Sequence, residues 1–159
     1  MGEPIIRPAQ RRDLEQIVAL LADDPLGSDR ECAQTPLDQG YIDAFGSIDL
    51  DPNHELAVLQ VDGTVAGVLQ ISFIPSMTYR GGWRAQIEGV RVGPSLRGRG
   101  YGTKLFRWSI DRARARGCRM VQLTTDKTRP DALRFYESLG FRASHEGLKL
   151  HFPTRTSRT

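Results

Sequence analysis

Trp83-Arg84-Ala85-Gln86-Ile87-Glu88-Gly89-Val90-Arg91-Val92, followed by Arg97-Gly98-Arg99-Gly100-Tyr101-Gly102-Thr103, is the stretch on which the fold turns. Trp83, Ala85 and Ile87 alternate on one face of a strand, but Val90 and Val92 carry the apolar pattern on even numbers. The phase slips by one residue at Glu88-Gly89. Strand side chains point to alternate faces, so a slip of one means an extra residue, a β-bulge. Glycine tolerates that position best. A bulge bends the strand and leaves backbone groups without sheet partners.

The second part of the stretch follows a strand and opens a helix. Its glycines let the backbone turn tightly and let a ligand approach closely. Free N–H groups at the helix start, with the helix dipole, favour an anion there, and Arg97 and Arg99 add charge. A P-loop needs Gly-x-x-x-x-Gly-Lys-Ser/Thr, whereas the order here is Gly102-Thr103-Lys104. A dinucleotide fingerprint needs Gly-x-Gly-x-x-Gly, which the spacing of Gly98, Gly100 and Gly102 does not meet. The pattern Arg/Gln-x-x-Gly-x-Gly/Ala is met by Arg97, Gly100 and Gly102. A solvated, arginine-bearing glycine turn is the plain alternative.

Outward from this stretch the order of elements is β-α-α-β-β-β-α-β-α-β-β. Ile5 and Ile6 suit a short strand, and Asp13 caps or starts a helix carrying Leu14, Ile17, Val18 and Leu21. Thr35-Pro36 predicts the start of a second helix with Leu37, Tyr41 and Phe45 on one face. Asp62-Gly63 between residues 56–61 and 65–73 predicts a hairpin that Pro75 ends. A helix follows the glycine loop to about Arg116. Cys118 to Thr124 suits a buried strand, and Asp131 is expected to cap a helix carrying Ala132, Phe135, Tyr136 and Leu139, closed by Gly140. Phe141–Ala143 and Leu148–Phe152 predict a last pair of strands. One domain over 1–152 and a disordered tail over 153–159 are expected.

The chain has 159 residues, 39% hydrophobic and 26% charged, as expected of one soluble domain. No apolar run is long enough to span a membrane, and the N-terminus lacks the basic and apolar regions of a signal peptide. Cys32 and Cys118 form no zinc or disulfide framework, so a reducing cytoplasm is expected, with no metal. The net charge of +3 is unevenly placed: residues 23–55 hold nine acids and a single Arg, Arg30. The basic remainder suits a small polyanion; nucleic acid would call for aromatic residues interleaved with the arginines of 107–116, where only Trp108 stands.

Ile87 to Val92, Arg97 to Gly102, and Ala132-Leu133-Arg134-Phe135-Tyr136-Glu137-Ser138-Leu139-Gly140-Phe141 together resemble the GNAT superfamily of acyl-CoA-dependent N-acyltransferases. The resemblance covers residues 55 to 150 in order and spacing. It implies an α/β (α+β) fold: a mixed, mostly antiparallel central sheet of about six to seven strands with a bulged, splayed fourth strand, and about four helices. It implies acetyl-CoA as cosubstrate, with Val90, Arg91 and Val92 along the pantetheine and Arg97, Gly98, Arg99, Gly100, Tyr101, Gly102 and Thr103 around the pyrophosphate. The family often has Asn where Arg129 stands here, which leaves the contacts of 126–130 open.

Acyl transfer to an amine needs a proton acceptor, an oxyanion donor and a donor for the departing thiolate. The resemblance implies Glu88 as base, Tyr136 as acid and the Val92 amide as oxyanion donor. Glu88 has the alternative of pairing with Arg84 or Arg91, and Tyr136 of packing in an apolar stripe. In the family the first two helices wall the acceptor site. That places Asp24, Glu31 and Tyr41, with Tyr79 and Gln86, as acceptor-binding candidates, and their charge suits a small cationic or antibiotic-like primary amine. Acids that simply face solvent are the plain alternative. A protein or peptide acceptor, an aminoacyl-tRNA acceptor and a silent acyl-CoA sensor are the alternatives. A monomer or homodimer is expected.

Overall fold

The computed structural model describes residues 2–153. The expected tail therefore lies, from residue 154 on, outside the described residues. Two compact units succeed one another along the chain, divided between Leu123 and Thr124.

The first unit is built on a five-stranded sheet in the order β1-β2-β3-β4-β5. Its strands are β1 (Ile5–Pro8), β2 (His54–Val61), β3 (Thr64–Ile74), β4 (Arg84–Val92) and β5 (Met120–Gln122). The first four are antiparallel, and β5 joins β4 in parallel. Asp62 (φ 48°) and Gly63 (φ 80°) make the two-residue turn between β2 and β3 in the left-handed conformation that matches strand twist.

Helix α1 (Leu14–Ala22) buries Leu14, Ile17 and Val18, and Leu14 and Ile17 pack with Val58, Val65 and Val68 of the sheet. Leu37, Ile42 and Phe45 extend that cluster from α2 (Gln39–Leu50) and the residues before it. The second helix starts later than Thr35-Pro36 predicts. Asp38 is its cap, its carboxylate accepting the Gly40 N–H at 2.8 Å, a bond no hydroxyl earlier in the chain provides. After β3 comes the single turn α3 (Thr78–Gly81), with Tyr79 and Arg80 left-handed. On the opposite face of the sheet lies α4 (Tyr101–Ala115), burying Leu105, Phe106 and Ala113. Arg116, just past it, stacks 4.3 Å over the Phe73 ring and donates to Pro52 O and Asn53 Oδ1.

The second unit contains α5 (Pro130–Ser138). Asp131 does not cap it: Pro130 is already the first helical residue, Arg129 holds the cap position, and Asp131 pairs with Arg134. Proline suits that first position because it has no N–H to leave unpaired. Gly140 (φ 95°) closes the helix as expected. The two expected C-terminal strands do not form. Leu148, Leu150 and Phe152 alternate as a strand would but are more than four-fifths exposed, and no ladder partner is present among the described residues. Alternation alone does not make a strand when no neighbour takes up its backbone N–H and C=O groups.

One buried ion pair fixes the entry to α1. Arg7 of β1 holds both carboxylate oxygens of Asp13, at 2.7 and 2.9 Å, and the Gln10 N–H adds a third bond at 2.7 Å. The Arg7 hydrogen bond holds the Asp13 carboxyl below its ordinary pKa. This stability is present above the pKa of the unfolded carboxyl and is lost as pH falls through the lower folded value. Asp13→Ala leaves Arg7 without its carboxylate and is expected to destabilise the protein by about 3 kcal/mol in urea titration at pH 7, with a smaller loss at pH 3. A loss below about 0.5 kcal/mol at pH 7 would contradict this role.

Candidate active site

The bulge is present where the apolar phase slips. Gln70 of β3 faces Glu88 and Val68 faces Arg91, so Gly89 and Val90 together stand opposite Leu69. Gly89 has φ 60°, a left-handed conformation in which a side chain is strained. Without the extra residue, Glu88 and Arg91 would lie on opposite faces, being three positions apart. With it they share the face covered by α1.

The bulge coincides with a parting of strands. β5 pairs only with Arg84, Ala85 and Gln86 of β4. From Ile87 to Val92, β4 has no ladder partner on that side among the described residues. This is a backbone edge against which an extended amide-bearing ligand can lie.

Arg91, turned to the α1 face, meets Asp24 with Nε 2.6 Å from Oδ2, both side chains largely buried. The other Asp24 oxygen accepts the N–H groups of Leu26 and Gly27 at 2.8 and 2.7 Å. Asp24 thus ties the loop after α1 to β4. Arg97 reinforces the tie, donating to Val92 O (3.1 Å), Asp23 O (3.2 Å) and Asp23 Oδ2 (3.3 Å). Residues 22–25, Ser28 and Arg97 line an open cleft of about 400 Å³.

Beyond Arg97, Gly98 (φ 75°) and Gly100 (φ 81°) are both left-handed, with open space where a Cβ would stand. No side chain caps α4, whose first internal bond runs from Lys104 N to Gly100 O. The N–H groups of Tyr101, Gly102 and Thr103 precede that bond. This cradle fits a pyrophosphate: free donors, a positive dipole end and no side chain in the way.

Gln86 and Glu88 share the α1 face of β4. Glu88 is exposed, while Gln86 accepts from Gln122 Nε2 at 2.7 Å. The polar row continues across the sheet: Ser72 of β3 faces Gln86, and its hydroxyl lies 2.7 Å from His54 Nδ1 of β2. Arg84 stands at the end of the same face. The alternation Arg84-x-Gln86-x-Glu88 was the visible signal for this polar floor; its continuation through Ser72, His54 and Gln122 depended on register.

The Tyr41 hydroxyl donates to Glu31 Oε2 at 2.7 Å and accepts from Cys32 N at 3.0 Å, and burial raises its pKa. Glu31 and Tyr41 therefore brace the α1–α2 connection. Asp43 accepts from Gln39, so several acids of the 23–55 segment serve their own loop and helix. Tyr79 is 60% exposed on α3. In the second unit Tyr136 packs between Phe135 and Phe141, at ring centroid distances of 5.6 and 6.3 Å. Of the α4 arginines, Arg112 holds Glu55 and Arg114 pairs with Asp111.

A sequence model of the Acetyltransferase (GNAT) family matches residues 14–141. The chain is 29% identical over 141 residues to the aminoalkylphosphonate N-acetyltransferase of Salmonella typhimurium, covering 88% of this chain and 86% of that one. It is 35% identical over 91 residues to the glucosamine 6-phosphate N-acetyltransferase of Trypanosoma brucei brucei, covering 57% and 60%. A crystal structure from Bacillus halodurans, described as a transcriptional regulator, superposes with a TM-score of 0.92 at 55% identity, over 94% of this chain and 100% of that one.

Two glycines separate conformation from contact. Gly89→Ala meets only Leu21 Cδ2, at an ordinary 3.7 Å, so its cost is conformational, about 1–2 kcal/mol by urea titration. Gly100→Ala is expected to weaken CoA binding about tenfold by calorimetry, since the cradle depends on its φ of 81°. Unchanged CoA affinity would contradict the cradle.

Proposed function

The chain belongs to the Acetyltransferase (GNAT) family and is an N-acetyltransferase that uses acetyl-CoA, and from that premise we propose that it acetylates a small primary amine by direct attack. The observation that carries this reading is the pairing of a half-open β4 edge with the uncapped glycine cradle of α4. The matched family region runs across the division at Leu123 and Thr124, which supports one functional domain over 1–152.

In this reading the backbone of Val90 to Val92 aligns the pantetheine, and residues 97–103 hold the pyrophosphate. Glu88 takes the proton of the acceptor ammonium, directly or through water, which frees the nitrogen lone pair. The nitrogen attacks the thioester carbonyl, and the Val92 N–H steadies the oxyanion. The carbon–sulfur bond then breaks, Tyr136 gives its proton to the departing thiolate, and the second proton of the acylated nitrogen leaves to restore the Tyr136 hydroxyl, directly or through water. Bringing amine and thioester together accounts for much of the acceleration.

The small-amine reading also draws on the relatives, two of which are named for amines that carry phosphonate or phosphate. A second reading, regulation through acyl-CoA binding, is favoured by the description of the Bacillus halodurans relative. Thiol release with acetyl-CoA and a panel of amines and peptides separates the two.

Glu88→Gln is expected to lower kcat about 100-fold and Tyr136→Phe about tenfold or more, with CoA affinity retained. Initial-rate lines are expected to intersect, as direct attack requires; parallel lines would indicate a covalent acetyl-enzyme. Full turnover in both variants, with chemistry limiting the rate, would overturn the assigned roles.

A further inference from the structure

The sheet face that carries Glu88 changes character along its strands. Under α1 it is apolar, with Val58 and Val68 buried. Toward the start of β4 it presents Arg84, Gln86 and Ser72 instead.

Arg84 is the unusual member. Its side chain is half-buried, its Nε is fully buried, and that nitrogen has no hydrogen-bond partner among the described residues. Its register neighbours, Ile74 on β3 and Met120 on β5, offer no acceptor side chain other than a thioether. Gln86, next along the face, has its carbonyl oxygen occupied by Gln122. Other cations of the first unit, Arg7, Arg91, Arg97 and Arg112, each hold a carboxylate.

Burying a guanidinium nitrogen without a partner is costly, and the planar fork of donors matches an oxyanion. Glu88 stands four residues along the same face, about 13 Å away at roughly 3.3 Å per residue. Both positions stand on one sheet face, so a single ligand lying along β4 can meet the two side chains.

We propose that Arg84 receives an oxyanion of the acceptor, so that the preferred substrate is a small amine that also carries a phosphonate, phosphate or carboxylate group. This rests on the acetyltransferase reading, with the amine directed to Glu88. It assigns selectivity to the sheet floor rather than to the acidic segment, whose Asp24 is already held by Arg91.

The test has two arms, each on wild type, Arg84→Gln and Arg84→Lys, with CoA affinity as the check on folding. In the first, thiol release compares 2-aminoethylphosphonate with ethanolamine. The anionic amine is expected to have a kcat/KM at least tenfold higher in wild type. Arg84→Gln removes that preference, raising KM far more for the anionic amine than for ethanolamine, and Arg84→Lys restores part of it. In the second, methylphosphonate is titrated by calorimetry into protein saturated with CoA, which fills the pyrophosphate cradle. Binding to wild type that weakens at least tenfold in Arg84→Gln supports the site. Equal methylphosphonate binding in both, or none in wild type, overturns it, as does an unchanged preference between the two amines. If neither amine is acetylated while CoA binds, the small-amine reading fails, and the methylphosphonate arm still decides the role of Arg84.

Discussion

One extra residue in β4 is the constraint on which the rest of the site depends. Because strand side chains alternate, inserting Val90 beside Gly89 turns Arg91 onto the face of Glu88. There it meets Asp24, and Asp24 in turn holds the backbone of Leu26 and Gly27. A single register shift thus couples the bent strand to the loop after α1. The same region of β4 has lost β5 as a neighbour. Bulge, free edge and anchored loop thus meet within one short stretch of β4.

The second device is the start of α4. Its amides are uncapped, and the two left-handed glycines before it hold the chain in a turn that side chains would strain. Arg97, which a charge argument alone would direct at the anion, instead donates to Val92 O and Asp23. It fixes the loop geometry with at least part of its guanidinium. The uncapped backbone N–H groups of α4 are donors beside it.

Local chemistry made much of this legible. The Asp62-Gly63 turn, the bulge and the glycine loop are each set by neighbours within a few residues, so pattern and residue type suffice. Errors arose where the deciding partner was distant or close alternatives competed. Asp38 rather than Thr35 caps α2, and Pro130 forestalls Asp131. The alternation of Leu148, Leu150 and Phe152 carries no information about whether a strand will lie beside it. The bonds of Asp24 to Arg91 and of Glu31 to Tyr41 are tertiary, so the charge run by itself does not reveal them. The isolation of Arg84 is the hardest kind of feature to foresee, since it consists of a missing partner.

The central claim is that β4 after the bulge and the start of α4 form one continuous binding edge for acetyl-CoA. Amide hydrogen exchange, measured with and without CoA, tests it most directly. Protection is predicted to rise together in peptides covering 87–92 and 98–103, with little change in β1 or the hairpin at Asp62-Gly63. Saturating CoA that leaves both segments unprotected, or protects only one, would contradict it.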